Sequence, residues 1–186
     1  MLDYNEITVG KVIIFNGDPY QVMDSHVFRK QQRKPVNATK LKNLITGKVT
    51  EYSFHVSEKA VEAEIEARPL VFIYESRGAW WFHKTGDPSA RVELPADVLG
   101  EKTKYLKPKT EIHGLYFEDR LIGIRLPIKM RFKIVEAPPT IKGNTAQGGN
   151  KLVKIETGAS ITTPMFVEEG ETIEVNTETG EYSGRV

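Results

Sequence analysis

The sequence predicts an all-β protein built from small modules, on the basis of three observations. Hydrophobic and polar residues alternate with period 2 along most of the chain, as they do in strands whose successive side chains point to opposite faces. Glycines and prolines recur between these segments, where tight turns need them. Long stretches with the 3.6-residue period of a helix are scarce.

The first module is predicted to consist of hairpins. Residues 11–15 form an apolar strand, and residues 20–27 return as its partner after a turn that contains Gly and Pro. Residues 38–44 and 48–54 form a second pair around another glycine. The alternation continues to Ile65, so the module is expected to end there.

A second hairpin-rich module follows a break in the alternation at residues 67–69. One helical turn is predicted at residues 95–99, and the polar pair Glu118 and Asp119 predicts a tight turn. The predicted strands of this module are residues 70–74, 79–84, 110–117 and 120–125. A boundary is expected near residue 127.

The third module begins with a strand that has two different faces. Along residues 128–135, the apolar Met130, Phe132 and Ile134 alternate with basic residues. Those bases are Lys129, Arg131 and Lys133. Further strands are predicted at residues 151–156, 160–163 and 171–175, and a glycine-rich loop at residues 142–150. The sequence therefore predicts three β modules, at residues 1–65, 66–127 and 128–186.

The formal net charge of +1 conceals an uneven distribution. Between Ser25 and Thr50 there are seven bases and no acid, and residues 129–154 hold six bases against the single acid Glu136. Residues 155–186 reverse the balance, with seven glutamates. One basic block alone is often just a solvated face. Two separate blocks in a nearly neutral chain favour nucleic acid as a partner.

Catalytic signals are absent from the sequence. The chain has no cysteine, which excludes disulfides, thiolate metal sites and thiol catalysis. Its four histidines have no metal-ligand spacing, and neither a Gly-x-Ser-x-Gly elbow nor a phosphate loop occurs. We therefore expect a protein that is not an enzyme and that has no metal and no cofactor.

The expected location is the cytoplasm. No apolar run approaches the roughly 18 residues that a membrane span needs. The first ten residues include Asp3 and Glu6 and have no apolar core of the kind that secretory signals carry. A soluble protein without membrane contact is expected.

Particular residues resemble the bacterial elongation factor P family. In the first module, Gly17-Asp18-Pro19-Tyr20 and Lys40-Leu41-Lys42-Asn43-Leu44 followed by Thr46-Gly47 match the family. In the C-terminal third the matching residues are Lys151, Thr157-Gly158-Ala159, Pro164, Phe166-Val167, Gly170, Thr177, Thr179-Gly180-Glu181-Tyr182 and Arg185-Val186. The resemblance covers essentially the whole chain.

The resemblance implies three small β-barrels, a KOW or SH3-like domain followed by two OB-like domains, in an L-shaped outline similar to tRNA. Family members are monomers that bind both ribosomal subunits and peptidyl-tRNA, between the peptidyl and exit sites. They promote peptide-bond formation at consecutive prolines, whose rings restrict the backbone and misalign the reacting ends. Positioning alone can lower such a barrier.

In the family, the tip of a first-domain hairpin carries a Lys or Arg that a modifying enzyme alters. The corresponding residues here are Lys30-Gln31-Gln32-Arg33, with Gln32 at the modified position. Glutamine has no amine or guanidinium for such a modification. In one interpretation the tip works unmodified, with Gln32 as a hydrogen-bonding group and Arg29, Lys30, Arg33 and Lys34 holding phosphates. In a second, the hairpin is rearranged and Lys30, Arg33 or Lys34 is modified. A third reading is a divergent paralogue with another ribosomal task.

The third domain carries further RNA contacts by the same resemblance. Gly143-Asn144-Thr145 replaces a Gly-Asp-Thr loop that lies near the exit-site codon in the family. Tyr182 and Arg185 are expected to contact RNA or the small subunit, although Tyr182 also fits a core position. The alternative from another class is a general single-stranded nucleic-acid-binding OB protein unconnected with translation.

Overall fold

The computed structural model describes residues 1–29, 34–139 and 149–186. Within these residues the chain forms sixteen strands in three sheets and one short α-helix, which confirms the predicted all-β class. Each sheet is built from strands that follow one another along the chain. Among the described residues, no helix is long and apolar enough to cross a membrane.

The first sheet has six strands in the order β1-β6-β2-β3-β4-β5. Its strands are β1 (Leu2–Asp3), β2 (Val12–Phe15), β3 (Asp18–Phe28), β4 (Val36–Asn43), β5 (Val49–His55) and β6 (Lys59–Glu62). Asn16 and Gly17 both have positive φ, 52° and 87°, and they join β2 to β3 as a two-residue turn. Such turns match the twist of the paired strands, which is why Asn-Gly is favoured there. The turn is thus shorter than predicted, and β3 begins at Asp18.

One face of this sheet forms a hydrophobic core. Its buried members are Leu2, Ile7, Ile13, Val22, Leu41, Phe54 and Ala60. Asn37 is buried beside them, and its Nδ2 donates hydrogen bonds to the carbonyl oxygens of Tyr4 at 2.6 Å and Ile7 at 2.9 Å. These bonds tie the N-terminal segment to β4.

The second sheet has five strands in the order β11-β10-β7-β8-β9. They are β7 (Glu66–Ser76), β8 (Ala79–Lys84), β9 (Asp87–Pro95), β10 (Glu111–Phe117) and β11 (Arg120–Arg125). The predicted break at residues 67–69 is wrong, because β7 runs through it. Pro69 lacks an N–H, but it precedes Leu70, the first residue of β7 that pairs with β8. The helical turn is confirmed as α1 (Ala96–Leu99), and a 3₁₀ helix (Gly100–Tyr105) follows it.

The third sheet has five strands in the order β14-β13-β12-β15-β16. They are β12 (Lys129–Glu136), β13 (Asn150–Ile155), β14 (Ser160–Pro164), β15 (Thr172–Asn176) and β16 (Tyr182–Arg185). Met130, Phe132 and Ile134 are buried on β12, while the residues between them are exposed. The predicted division of this strand into a core face and a basic face is confirmed.

The described chain separates into two compact units. The first unit comprises residues 1–69 and 113–124, and the second comprises residues 70–112 and 125–186. Within the second unit, the Lys107 ammonium joins two segments of the chain. Its Nζ donates to the carbonyl oxygen of Arg131 at 2.9 Å and to Oε1 of Glu156 at 2.8 Å, and it lies 5.3 Å from the centre of the Phe132 ring. Glu156 Oε1 also accepts a hydrogen bond from the backbone N–H of Lys133 at 3.1 Å.

We predict that replacing Glu156 with glutamine destabilises the second unit in a pH-dependent way. Burial raises the pKa of Glu156, but the hydrogen bonds from Lys107 and Lys133 and their positive charges outweigh it, so the pKa is lowered overall. A lowered pKa stabilises the fold above the unfolded-state pKa, and that contribution is lost as pH falls through the folded-state pKa. At pH 7 the Glu156→Gln variant should melt roughly 2–4 °C below the wild type. Thermal melts should show this gap narrowing below about pH 5.

Glu178 supplies the matched control for this experiment. Its side chain is exposed and forms no ion pair within the described residues. The Glu178→Gln variant should therefore melt with the wild type at every pH. A Glu156→Gln gap that stays constant from pH 7 to pH 3 would contradict the role of the ionised carboxylate.

Candidate nucleic-acid interface

The hairpin of β3 and β4 places the predicted tip at the end of a long antiparallel ladder. Eight residue pairs connect the two strands, from Tyr20 opposite Asn43 to Phe28 opposite Val36. Arg29 and Lys34 are exposed at the end of this ladder. The intervening Lys30, Gln31, Gln32 and Arg33 lie outside the described residues. Their role in RNA binding stays a prediction.

The described lysines of this hairpin and of the turn after it carry charges that no acid neutralises. Lys34, Lys40, Lys42 and Lys48 are exposed and form no ion pair with any described residue. Asp24 and Glu51 lie across the strands from Lys40 but do not reach ion-pair distance. Unpaired ammonium groups on one hairpin can bind phosphates without first losing a protein partner.

Other bases of the same unit are paired instead. Lys11 Nζ lies 3.4 Å from Oε1 of Glu62, and Lys59 Nζ lies 3.0 Å from Oδ1 of Asp3. Within this unit, some exposed lysines therefore form ion pairs with carboxylates and others do not. The described lysines of this unit that form no ion pair all lie between Ser25 and Thr50, where the sequence has seven bases and no acid.

An aromatic pair lies beside these charges, and it adds His26 to Phe28, whose place next to Arg29 in the sequence already makes it a candidate for a nucleic-acid contact. The rings of His26 and Phe28 are stacked, with centroids 6.0 Å apart and an interplanar angle of 15°. Both residues are on β3, two positions apart, and so they share one face. The spacing of two residues along a predicted strand is the feature of the sequence that indicates this pair. Flat rings next to Arg29 form a surface on which a nucleobase can stack.

The second basic block is more neutralised than its composition suggested. Lys129 Nζ lies 2.9 Å from Oε1 of Glu174. The hydrogen bond from Lys129 and the charges of Lys129 and Arg131 lower the pKa of Glu174. Lys151 is buried, and its Nζ donates to the carbonyl oxygen of Pro138 at 3.2 Å. The interpretation of the whole block as a free basic surface is therefore wrong for Lys129 and Lys151.

The two described residues of the third-domain prediction lie on the edge strand β16. Tyr182 is half-buried opposite Val175, and Arg185 is exposed. Arg185 Nη1 donates to Oε1 of Glu171 at 3.0 Å. The backbone N–H of Glu168 and the charge of Arg185 lower the pKa of Glu171. An RNA phosphate at Arg185 would thus compete with a carboxylate. The predicted contacts Gly143, Asn144 and Thr145 lie outside the described residues.

Comparison with known proteins identifies the family. Residues 3–60 match the family model described as "Elongation factor P (EF-P) KOW-like domain", and residues 130–185 match "Elongation factor P, C-terminal". The protein named Elongation factor P from Carboxydothermus hydrogenoformans is 33% identical over 186 residues, covering all of both chains. Those from Pseudothermotoga lettingae and Thermotoga maritima are 36% and 35% identical over 185 residues, again over both whole chains.

The chain belongs to the elongation factor P family. The resemblance found in the sequence is thereby confirmed, and the coarse function follows from it: the chain is a translation elongation factor that takes part in protein biosynthesis.

Solved structures of another translation-factor family share the fold. The protein titled "Eukaryotic translation initiation factor 5A from Methanococcus jannaschii" aligns with a TM-score of 0.51 at 15% identity, covering 62% of this chain and 85% of that one. An initiation factor eif-5a family protein from Naegleria fowleri aligns with a TM-score of 0.50 at 13% identity, covering 67% and 96%. At such identities the likeness shows the fold alone.

We predict that the unpaired lysines of this elongation factor P family member govern its affinity for ribosomes. Changing Lys40, Lys42 and Lys48 to glutamine should weaken binding and flatten its salt dependence. The slope of log affinity against log salt should fall by about 0.7 to 0.9 for each phosphate that the variant no longer binds. Co-sedimentation with ribosomes at several salt concentrations measures it.

A control variant removes the same number of positive charges by replacing Lys11, Lys59 and Lys129 with glutamine. Each forms an ion pair with a carboxylate of the chain. Their triple glutamine variant should keep most of the wild-type slope. Equal slopes for the two triple variants would show that net charge, rather than the hairpin, determines binding.

Proposed function

We propose that this chain binds the ribosome between the peptidyl and exit sites and promotes peptide-bond formation at consecutive prolines. The observation that carries the proposal is similarity to elongation factor P proteins over the full length of both chains. The unpaired lysines of the β3–β4 hairpin add support, because a factor that works among ribosomal RNA and tRNA needs free cations for phosphates.

The proposed mechanism is positioning of the peptidyl-tRNA. Proline fixes its own φ and restricts the residue before it, so a chain ending in prolines presents its reacting carbonyl in poor alignment. A protein that holds the tRNA acceptor end in a productive geometry lowers the entropic part of the barrier. Such a factor contributes contacts and leaves proton transfer to the ribosome and its substrates. We therefore propose no catalytic residue in this chain.

In this proposal the hairpin tip works without modification. Gln32 takes the position of the family's modified residue and offers a neutral amide that can both donate and accept hydrogen bonds. Arg29, Lys30, Arg33 and Lys34 surround it and hold phosphates, while Gln31 completes the tip. The exposed positions of Arg29 and Lys34 at the end of the ladder fit this arrangement.

The proposed domain plan has three domains, at residues 1–65, 66–127 and 128–186. The three sheets, each built from consecutive strands, support it, as do the separate family models for the two ends of the chain. We propose a KOW or SH3-like first barrel, two OB-like barrels, and a monomer that acts in the cytoplasm. In the third domain, Gly143, Asn144, Thr145, Tyr182 and Arg185 are the proposed RNA contacts.

The stacked His26 and Phe28 rings favour a second candidate function, general binding of single-stranded nucleic acid. Base stacking on aromatic rings is tolerant of sequence and needs no ribosome. Affinity for random single strands equal to that for ribosomes would favour this candidate. A large preference for ribosomes carrying peptidyl-tRNA would favour the translation factor.

The proline-specific function predicts a defect in translation of proline runs. In a strain that lacks this gene, a reporter containing three consecutive prolines should be made poorly, while the same reporter with alanines is made normally. The wild-type gene should restore synthesis, and a variant with Lys34, Lys40 and Lys42 changed to glutamine should restore it less. Equal synthesis of both reporters with and without the gene would refute the proline-specific role.

The unmodified tip predicts an unshifted mass. Intact-mass spectrometry of the protein purified from its native host should give the mass of the unmodified polypeptide, apart from processing of Met1. A mass increase that maps to Lys30, Arg33 or Lys34 after proteolysis would favour the rearranged, modified hairpin instead.

A further inference from the structure

The exposed face of strands β3, β4 and β5 carries a cavity with a volume of about 380 Å³. The strand register places His26, Ala38 and Ser53 side by side in one row across the three strands. All three residues line the cavity, and the small side chains of Ala38 and Ser53 leave its space beside the His26 ring. A cavity of this size suits one planar ring system and part of the molecule that carries it.

A β-bulge at Met23 turns the second half of β3 toward this face. Val22 is buried, but the pairing with β4 shifts between Val22 and Asp24. Without the extra residue these two side chains would share a face, because side chains alternate along a strand. Asp24, His26 and Phe28 instead all lie on the exposed side. Bulges re-aim side chains in this way and are frequent next to active sites.

The His26 ring forms one wall of the cavity and already belongs to a stack. Phe28 is stacked against His26, with centroids 6.0 Å apart and planes 15° apart, but Phe28 does not line the cavity. A planar ligand in the cavity would add to this stack from the cavity side of His26. Nucleobases stack on aromatic rings in this manner.

The next row across the same three strands is charged. Asp24 and Glu51 lie opposite Lys40 from its two neighbouring strands, and all three side chains are exposed and line the cavity. None of the three forms an ion pair with any residue that the structure describes. Carboxylates only accept hydrogen bonds and an ammonium only donates them. The row therefore offers a donor with an acceptor on each side, next to a stacking ring.

The Watson–Crick edge of guanine fits this row best. It presents two neighbouring N–H donors, from N1 and the 2-amino group, beside the O6 acceptor. One carboxylate can accept both N–H groups in a bidentate, charge-assisted pair while an ammonium donates to O6. Adenine, cytosine and uracil offer only one donor group at the same edge, so a carboxylate gains less from them.

We infer that this cavity binds one unpaired guanine of single-stranded RNA. The base stacks on His26, Asp24 or Glu51 accepts from N1 and the 2-amino group, and Lys40 donates to O6. The Lys40 ammonium has three donors, so it can bind a phosphate at the same time. The inference rests on the proposed binding of RNA by this hairpin and extends it, because phosphate contacts alone carry no sequence information.

Fluorescein-labelled RNA hexamers that differ at one position test the site. Each has uridine at every position except the third, which is guanosine, inosine, adenosine or uridine. Binding to the full chain is measured by fluorescence anisotropy at one fixed ionic strength. The guanosine hexamer should bind about fivefold or more tightly than the inosine hexamer, since inosine lacks only the 2-amino group and so breaks the bidentate pair.

Variants locate the binding within the cavity. The double variant Asp24→Asn, Glu51→Gln should lose the preference for guanosine over inosine, because an amide offers one acceptor atom where a carboxylate offers two. His26→Ala should weaken the binding of both hexamers by about fivefold or more and keep their ratio, since both bases stack.

Matched controls remove the same groups elsewhere. The double variant Glu93→Gln, Glu178→Gln changes the net charge by the same amount, through exposed carboxylates that do not line the cavity and form no ion pair within the described residues. His113→Ala removes another exposed histidine outside the cavity. Both controls should keep the wild-type ratio of guanosine to inosine affinity, and His113→Ala should keep the affinities themselves.

Three results would overturn the proposal. One is equal affinity of the wild type for all the hexamers, or for none, which would leave this face to another occupant such as a protein. Another is a guanosine preference that survives in the Asp24, Glu51 variant. The last is wild-type affinity of Ala38→Val for the guanosine hexamer, since the added methyl groups occupy the cavity. Thermal melts establish that each variant is folded, and Ala38→Val places a good strand former on an exposed face, so it tests the site even where the double variant does not fold.

These measurements use no ribosome, so they separate the site from the proposed function. Loss of the guanosine preference together with a normal proline-reporter result would refute the guanine site alone. A guanosine preference in a chain that has no effect on the proline reporter would refute the proline-specific role alone.

Discussion

Two-residue turns with positive φ set the strand register on which the rest of the structure depends. Asn16 and Gly17, Arg77 and Gly78, and Glu118 and Asp119 each join neighbouring antiparallel strands with both φ angles positive. Because side chains alternate in a strand, a slip of one residue would exchange the two faces of every strand concerned. On β8 such a slip would bury a neighbour such as His83 in place of Phe82, whose side chain is fully buried.

The same register separates opposite charges within the first unit. On β4, Asn37, Thr39 and Leu41 face inward, so the lysines between and after them face solvent. Along residues 62–66, Ala63 and Ile65 face inward and glutamates face outward. A chain with a net charge of only +1 thus presents an exposed row of lysines and an exposed row of glutamates.

The sequence was sufficient to predict the strands that carry regular alternation. Arg120–Arg125 has the predicted bounds, and the faces of β12 are as predicted. The strands that were not predicted are β1, β9 and β16, which are edge strands with one neighbour each, whereas the edge strands β5, β11 and β14 were predicted. Of the nine residues of Asp87–Pro95, only Leu94 is buried. An edge strand that buries little needs no strong apolar pattern, so its sequence resembles that of a loop.

The sequence alone could not predict which charged residues form ion pairs, for a related reason. A count of bases gives the same weight to Lys40, which has no ion pair among the described residues, and to Lys129, which pairs with Glu174, 45 positions along the chain. Strand order determines which acid reaches which base, and it brings Asp119 to Arg68 across 51 positions. A charge that finds no partner through the fold stays available to a ligand. The described lysines of the hairpin that have no ion pair are therefore more informative than the count of bases in the first basic block.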